Sequence, residues 1–208
     1  ADKINEAVQL KISPAIEYEK KRNYKEESID FSTFLSDLED YYIHEELISL
    51  VNDAEVKSSS KKEDATSHQQ KMTRLFYHFW FREKLSSEEI RFLNDFFASE
   101  FLSKDYKAFI ISSIILSLLR HFDKAKFNVL FDVYEAEEPE MNQRGIVGLL
   151  IGFYKYDDRL AFYPSITSRL TILNENATFK QNLERVIVQL IRSKETEKIQ
   201  QKIKDEII

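Results

Sequence analysis

Apolar residues recur along most of this chain at the three-to-four spacing of helices rather than the alternating spacing of strands. The densest stretch is 139–155, where Ile146, Leu149, Leu150, Ile151 and Phe153 surround Gly145, Gly148 and Gly152, the only glycines in the protein. Glycine costs roughly 1 kcal/mol against alanine in a helix interior, so three of them at i, i+3 and i+7 need a reason. That spacing lines them on one face, where a neighbouring backbone can come close. The pattern predicts a central, buried helix packed tightly through its glycines.

Upstream, Ile4, Val8 and Ile12 form a narrow amphipathic stripe, and Pro14 stands where a second helix would open. The apolar positions from Ile29 to Val51 predict two helices meeting near Asp40. The polar run from Val56 to Ser67 predicts a loop. Residues 68–85 predict an aromatic helix on Met72, Leu75, Phe76, Phe79 and Trp80. The resulting division is an N-terminal helical subdomain (1–55), a polar loop (56–67) and a helical-repeat region (68–208) continuous with the N-terminal part.

Beyond residue 85 a period emerges. Ser86 with Glu89 has the form of a capping box, and Leu85 with Ile90 supplies its hydrophobic staple. Asp123, flanked by Phe122 and Phe127, is a second N-cap candidate. Asp158, with Phe162 four residues on, is a third, so the expected caps recur every 35 to 37 residues. Ser112–Arg120 aligns with Val147–Lys155 at an offset of 35, with Ser113 over Gly148 and Ser117 over Gly152; Val186–Arg192 is a looser third copy. Helix pairs at this period bury their apolar faces on their neighbours. The expectation is an all-α fold, an α-α superhelix of stacked hairpins with about ten to twelve helices.

On these residues the chain resembles HEAT-type repeats: Glu138 and Arg144 have the spacing of their acid and arginine, and Pro164 falls early in its helix. Ser103 and Phe109 occupy the equivalent places one unit earlier, so the charge ladder does not continue, and the likeness to TPR repeats is weaker still. The strings Asn142–Gly148, Tyr156–Pro164 and Arg192–Ile199 resemble an uncharacterised family of large bacterial α-helical repeat proteins, a resemblance that brings no activity with it.

Composition narrows the chemistry. The net charge of −6 argues against broad binding to phosphate backbones, and the absence of cysteine removes disulfides and thiolate metal sites. The apolar runs Ala108–Leu119 and Gly145–Tyr154 are shorter than the ~20 residues a bilayer requires, and no signal peptide is recognisable, so the expected location is cytoplasmic. His44-Glu45-Glu46 lacks the second histidine of a zinc helix. His68 and His78 are ten positions apart, too far to share a metal, and His78 reads as a core histidine. Glu135, Glu137, Glu138 and Glu140 read as a solvated acidic turn. No nucleophile elbow or phosphate loop is present, so no catalytic residue, metal or cofactor is expected.

The densest polar point is Tyr156-Asp157-Asp158-Arg159, which reads first as a helix stop and cap and, alternatively, as a recognition corner whose candidate partner-binding residues are Arg144, Asp157, Asp158 and Arg159. The function these features imply is a non-enzymatic protein–protein interaction scaffold whose partner is an unidentified protein or the remainder of a longer chain. The alternative is a nucleic-acid or nucleoprotein adaptor, which requires Lys20, Lys21, Arg22, Lys57, Lys61 and Lys62 to converge. At the far end Ile199, Ile203 and Ile207 form a stripe that predicts the natural chain continues past Ile208, these residues being an excised N-terminal module.

Overall fold

The helix boundaries carrying a capping residue are the best defined. Ser86 accepts from the Glu89 amide at 3.2 Å while the Glu89 carboxylate accepts from the Ser86 amide at 2.6 Å, closing the capping box. Asp123 accepts from the Ala125 amide at 3.0 Å, and the Phe122 and Phe127 rings pack beside it with centroids 5.7 Å apart. Its second carboxylate oxygen accepts from the Leu85 amide at 2.8 Å, joining the start of the helix at Ser87 to the start of the helix at Lys124.

A computed structural model describes residues 29–50, 60–136 and 138–207, with side chains at 29–44, 66–136 and 138–194. The described residues are all-α, with eight helices and no strand: α1 (Phe31–Leu50), α2 (Ser60–Phe81), α3 (Ser87–Ala98), α4 (Lys104–Arg120), α5 (Lys124–Glu135), α6 (Pro139–Leu160), α7 (Pro164–Glu175) and α8 (Ala177–Ile207). Eight is fewer than the ten to twelve expected of the whole chain, partly because elements expected to be separate are continuous.

Three boundaries differ from expectation. The predicted break near Asp40 is absent, since α1 holds no glycine or proline and Asp30 caps it through the Ser32 amide at 3.1 Å. Residues 60–67 of the expected loop are the first two turns of α2, because Lys, Glu and Ala propagate a helix whether or not a face is buried. Asp158 caps nothing. The backbone kinks at Tyr156 (φ −115°, ψ 22°), but α6 runs on to Leu160. The next helix opens at Pro164, whose fixed φ and missing N–H suit a first helical position. The observed N-caps in this series are therefore Ser86, Asp123 and Tyr163.

Packing follows two parallel series. Helices α1, α3, α5 and α7 each touch the next in that order, and so do α2, α4, α6 and α8. The series meet in a core that includes Phe79, Phe96, Phe127 and Phe131, each fully buried. Between α4 and α6 the contacts advance together along both helices. Arg144 meets Ser112, Gly148 faces Ile115, Gly152 faces Leu118, and the Tyr156 hydroxyl donates to the Leu118 carbonyl at 2.6 Å. Contacts that advance together mean that these two helices run side by side in the same direction.

The last carbonyls of α2 and α4, which no helix can satisfy internally, are met from residues later in the chain. Ser117 and Lys126 both donate to the Arg82 carbonyl, at 2.7 and 2.8 Å, and Lys126 also reaches the Glu83 carbonyl at 2.8 Å. Lys126 is wholly buried, and its ammonium sits on these carbonyl dipoles. On α6, Lys155 donates to the Leu119 carbonyl beside the Tyr156 bond. Farther along, Arg169 of α7 bonds Asp132 of α5 at 2.6 Å and lies over the Phe131 ring at 4.9 Å.

Candidate functional site

The parallel course of α4 and α6 opens a cleft between them. Gly148 holds no side chain at the seam, so the helices approach closely at depth while longer side chains diverge at the surface. The cleft has a volume of about 620 Å³. Ala108, Ile115, Leu116 and Val147 line it with apolar surface, while Asp105 and Glu140, in the first turns of α4 and α6, stand at one end. Gln143 and Arg144 complete the rim, and Arg144 donates to Ser112 at 3.2 Å. Such a surface holds apolar groups and orients them by charge. Its lining contains no histidine or serine–base pair that would serve as a nucleophile.

The cleft continues along the same helix faces. From Arg144 and Val147, helical periodicity carries one face on to Ile151 and Tyr154, the latter 88% exposed. On the α2 side Phe76 stacks on Phe109 with centroids 4.3 Å apart. Tyr77, Trp80 and Phe81 form a parallel-ringed cluster beside it, with the Arg120 guanidinium 5.5 Å over Phe81. Aromatic and arginine side chains of this kind dominate the energetics of protein interfaces.

The four candidate residues do not form one corner. Arg144 is roughly 20 Å along the helix axis from Asp157, Asp158 and Arg159, at 1.5 Å per residue. It belongs to the cleft. Asp157 and Asp158 are exposed beyond the kink at Tyr156. Arg159 turns inward over Tyr156 and Phe122, 5.5 and 5.9 Å from their ring centres. Glu138 does not pair with Arg144 as a repeat ladder would have it; its carboxylate lies 3.5 Å from the buried Lys107 ammonium. The side chains of Lys20, Lys21, Arg22, Lys57, Lys61 and Lys62, and those of Ile199, Ile203 and Ile207, lie outside the described residues.

Two polar clusters occur elsewhere. His78, near the end of α2, bonds Glu89 at 2.7 Å, and Arg82 reaches the same carboxylate oxygen at 2.7 Å. Burial would raise the Glu89 carboxyl, but hydrogen bonds from His78 and the Ser86 amide together with the Arg82 charge outweigh it and hold the group below its ordinary value. Glu89 is 1% exposed and locks α3 onto α2. His68 is buried against the faces and edges of Tyr41, Tyr42 and Tyr106, with its ring 4.1 Å from that of Tyr41. Among the described residues no group of three His, Asp or Glu is placed to hold a metal ion, and no helix is long and apolar enough to cross a membrane.

Sequence reasoning missed the cleft, although its lining was legible as pairs 32 to 35 positions apart: Asp105 with Glu140, Ser112 with Arg144, Ser112 and Ile115 with Val147. It also missed Lys107 and Lys126, whose burial no local pattern announces. No family model matches the chain, and no match was found among the curated proteins or the solved structures.

Proposed function

We propose that this chain is a non-enzymatic protein-interaction scaffold built as a short α-solenoid, presenting the face of its even-numbered helices to a protein partner. The observation that carries the reading is the α4–α6 cleft: an open apolar groove, charged at one end, produced by two helices running side by side in the same direction. Next-but-one packing along both helix series supports the solenoid description, and so does the spacing of about 35 residues between the contacts linking one unit to the next. A solenoid exposes such faces as extended surfaces. The resemblance to large bacterial helical-repeat proteins belongs to this same reading.

The test is site-specific photo-cross-linking. A photoreactive residue in place of Tyr154 is expected to give a saturable protein adduct in cells of the source, competed by unlabelled chain, whereas one in place of Glu100 gives none. The adduct's identity follows from mass spectrometry, and the purified partner should bind the purified chain. If no even-helix position gives a competed adduct, or if the chain retards DNA or RNA at low salt more readily than it binds any protein, the scaffold reading fails.

A further inference from the structure

The α4–α6 cleft has a polarity. Because α4 and α6 run in the same direction, their like ends lie together. Asp105 and Glu140 occupy the first turns at one end of the groove. About 22 Å along, at 1.5 Å per residue, α4 ends in Arg120, and Lys155 of α6 reaches the adjoining Leu119 carbonyl. Burial, and then the charge of Arg159 one turn on, lower the Lys155 ammonium below its ordinary value. Arg144, the only base lining the cleft itself, is bound to Ser112 midway.

The floor sets the form of the occupant. Ala108 and Ile115 are seven residues apart on α4, about 10 Å, which is the rise between residues i and i+7 of a helix laid alongside. Two parallel helices leave a groove that a third fills at the usual interaxial distance of 8–10 Å. A peptide that docks by pairing its backbone would need a strand edge, and the described residues contain no strand.

We propose that the cleft between α4 and α6 binds an amphipathic α-helix of a protein partner, antiparallel to both, its basic last turn against Asp105 and Glu140 and its acidic first turn toward Lys155. This rests on the scaffold reading and adds to it the partner's form, direction and charge. The orientation agrees with elementary helix electrostatics: acids belong in a first turn and bases in a last turn, so an ordinary well-capped helix is already complementary.

The experiment uses the full 208-residue chain and two fluorescent peptides of about 16 residues, stapled so that both are equally helical. They share an apolar stripe at i, i+4, i+7 and i+11. One carries acids in its first turn and bases in its last; the other carries glutamine at those positions, and a photoreactive residue in the last turn of the first should cross-link near Asp105 and not near Lys155. In fluorescence anisotropy at low salt the first layout is expected to bind at least tenfold more tightly. The double variant Asp105→Lys with Glu140→Lys should remove that preference. Leu116→Glu should abolish binding of both peptides, with circular dichroism confirming that each variant remains folded. Equal binding of the two layouts, a preference untouched by the double charge reversal, or binding of neither peptide would overturn the proposal. Cross-linking at Tyr154 decides the scaffold reading independently, since it requires neither a helical partner nor this orientation.

Discussion

Gly145 and Gly148 lie one turn apart on the same helix face but meet different neighbours. A methyl group on Gly145 would stand 3.1 Å from the Leu130 carbonyl oxygen and 3.2 Å from the Tyr134 amide nitrogen, both backbone atoms of α5. On Gly148 it would stand 2.7 Å from Cγ1 of Ile115, a half-buried side chain at the edge of an open cleft. Backbone in a packed helix cannot yield, and Ile115 yields little, because Cγ1 sits next to the main chain of a β-branched residue whose χ1 is nearly fixed in a helix, while Cδ1 of Leu130 stands 3.1 Å away. Alanine gains roughly 1 kcal/mol of helix propensity at either site, against an overpacking cost of typically 1–3 kcal/mol. Gly145→Ala and Gly148→Ala should therefore each lose about 1 kcal/mol in chemical denaturation. A variant at either site as stable as the parent would show that close approach is not what excludes a side chain there. The three glycines were legible as a packing face. Which of them meets backbone was not, because that depends on the rotation of α6 against two neighbours at once.

The caps divide in the same way. Asp123→Ala should cost about 1 kcal/mol or more, since one carboxylate holds both the Ala125 amide and the Leu85 amide. Asp158→Ala should leave the melting temperature unchanged or raise it slightly, because an acid in the last turn of a helix opposes the dipole and Asp158 caps nothing. A loss at Asp158 matching that at Asp123 would restore its capping role. Ser86 and Asp123 were readable because staple residues flank them. Asp158 had only Phe162 inside it, and Pro164 six residues on was the stronger start signal.

At the scale of elements, the joint between α2 and α3 depends on Glu89. Its carboxylate serves the capping box of α3 and binds His78 and Arg82 of the preceding segment, so one group sets both where α3 begins and how it docks. The folded carboxyl titrates below the ordinary value of 4.5. Its contribution is therefore fully present above about pH 4.5 and is lost as the pH falls through the lower folded value. Glu89→Gln should cost on the order of 2 kcal/mol at pH 7, the scale of hydrogen bonds to a charged group, and should flatten the stability profile below pH 4.5. Urea midpoints for both proteins between pH 3 and 7 measure this; an unchanged acid slope in Glu89→Gln would assign acid sensitivity to other groups. The capping box was visible in the sequence because its members are three residues apart. The partner on α2 was not, since His78 lay within an aromatic run that accounted for it as core. The length of α2 was hidden for a related reason: a polar, Ser-rich start resembles a loop by composition although nothing in it breaks a helix.

Across the whole molecule, stability should follow the number of layers that cover each helix. Helix α4 is flanked within its own series by α2 and α6 and backed by α5. Ile110, Ile111 and Ile114 are fully buried there, so their amides open only when most of the structure does. Helix α8 packs on α6, with Phe179 and Val186 buried and every described side chain from Ile187 to Lys194 exposed. A helix segment without tertiary cover has only its intrinsic propensity to hold it, and isolated helices of that length are marginal in water. Native-state hydrogen exchange should then rank the amides in one order, slowest in α4 and the Ile146–Leu149 turn of α6, intermediate in α3, and fastest from Ile187 onward. Repeat arrays behave as sums of local and nearest-neighbour terms, so Gly145→Ala should raise exchange most in α5 and α6 and leave the α2–α3 joint at Glu89 close to its original rate. Uniform exchange across α3, α4 and α6, with the glycine variant shifting all of them equally, would instead mean that the chain unfolds as a single cooperative body and that the series of helices is not a stack of separable units.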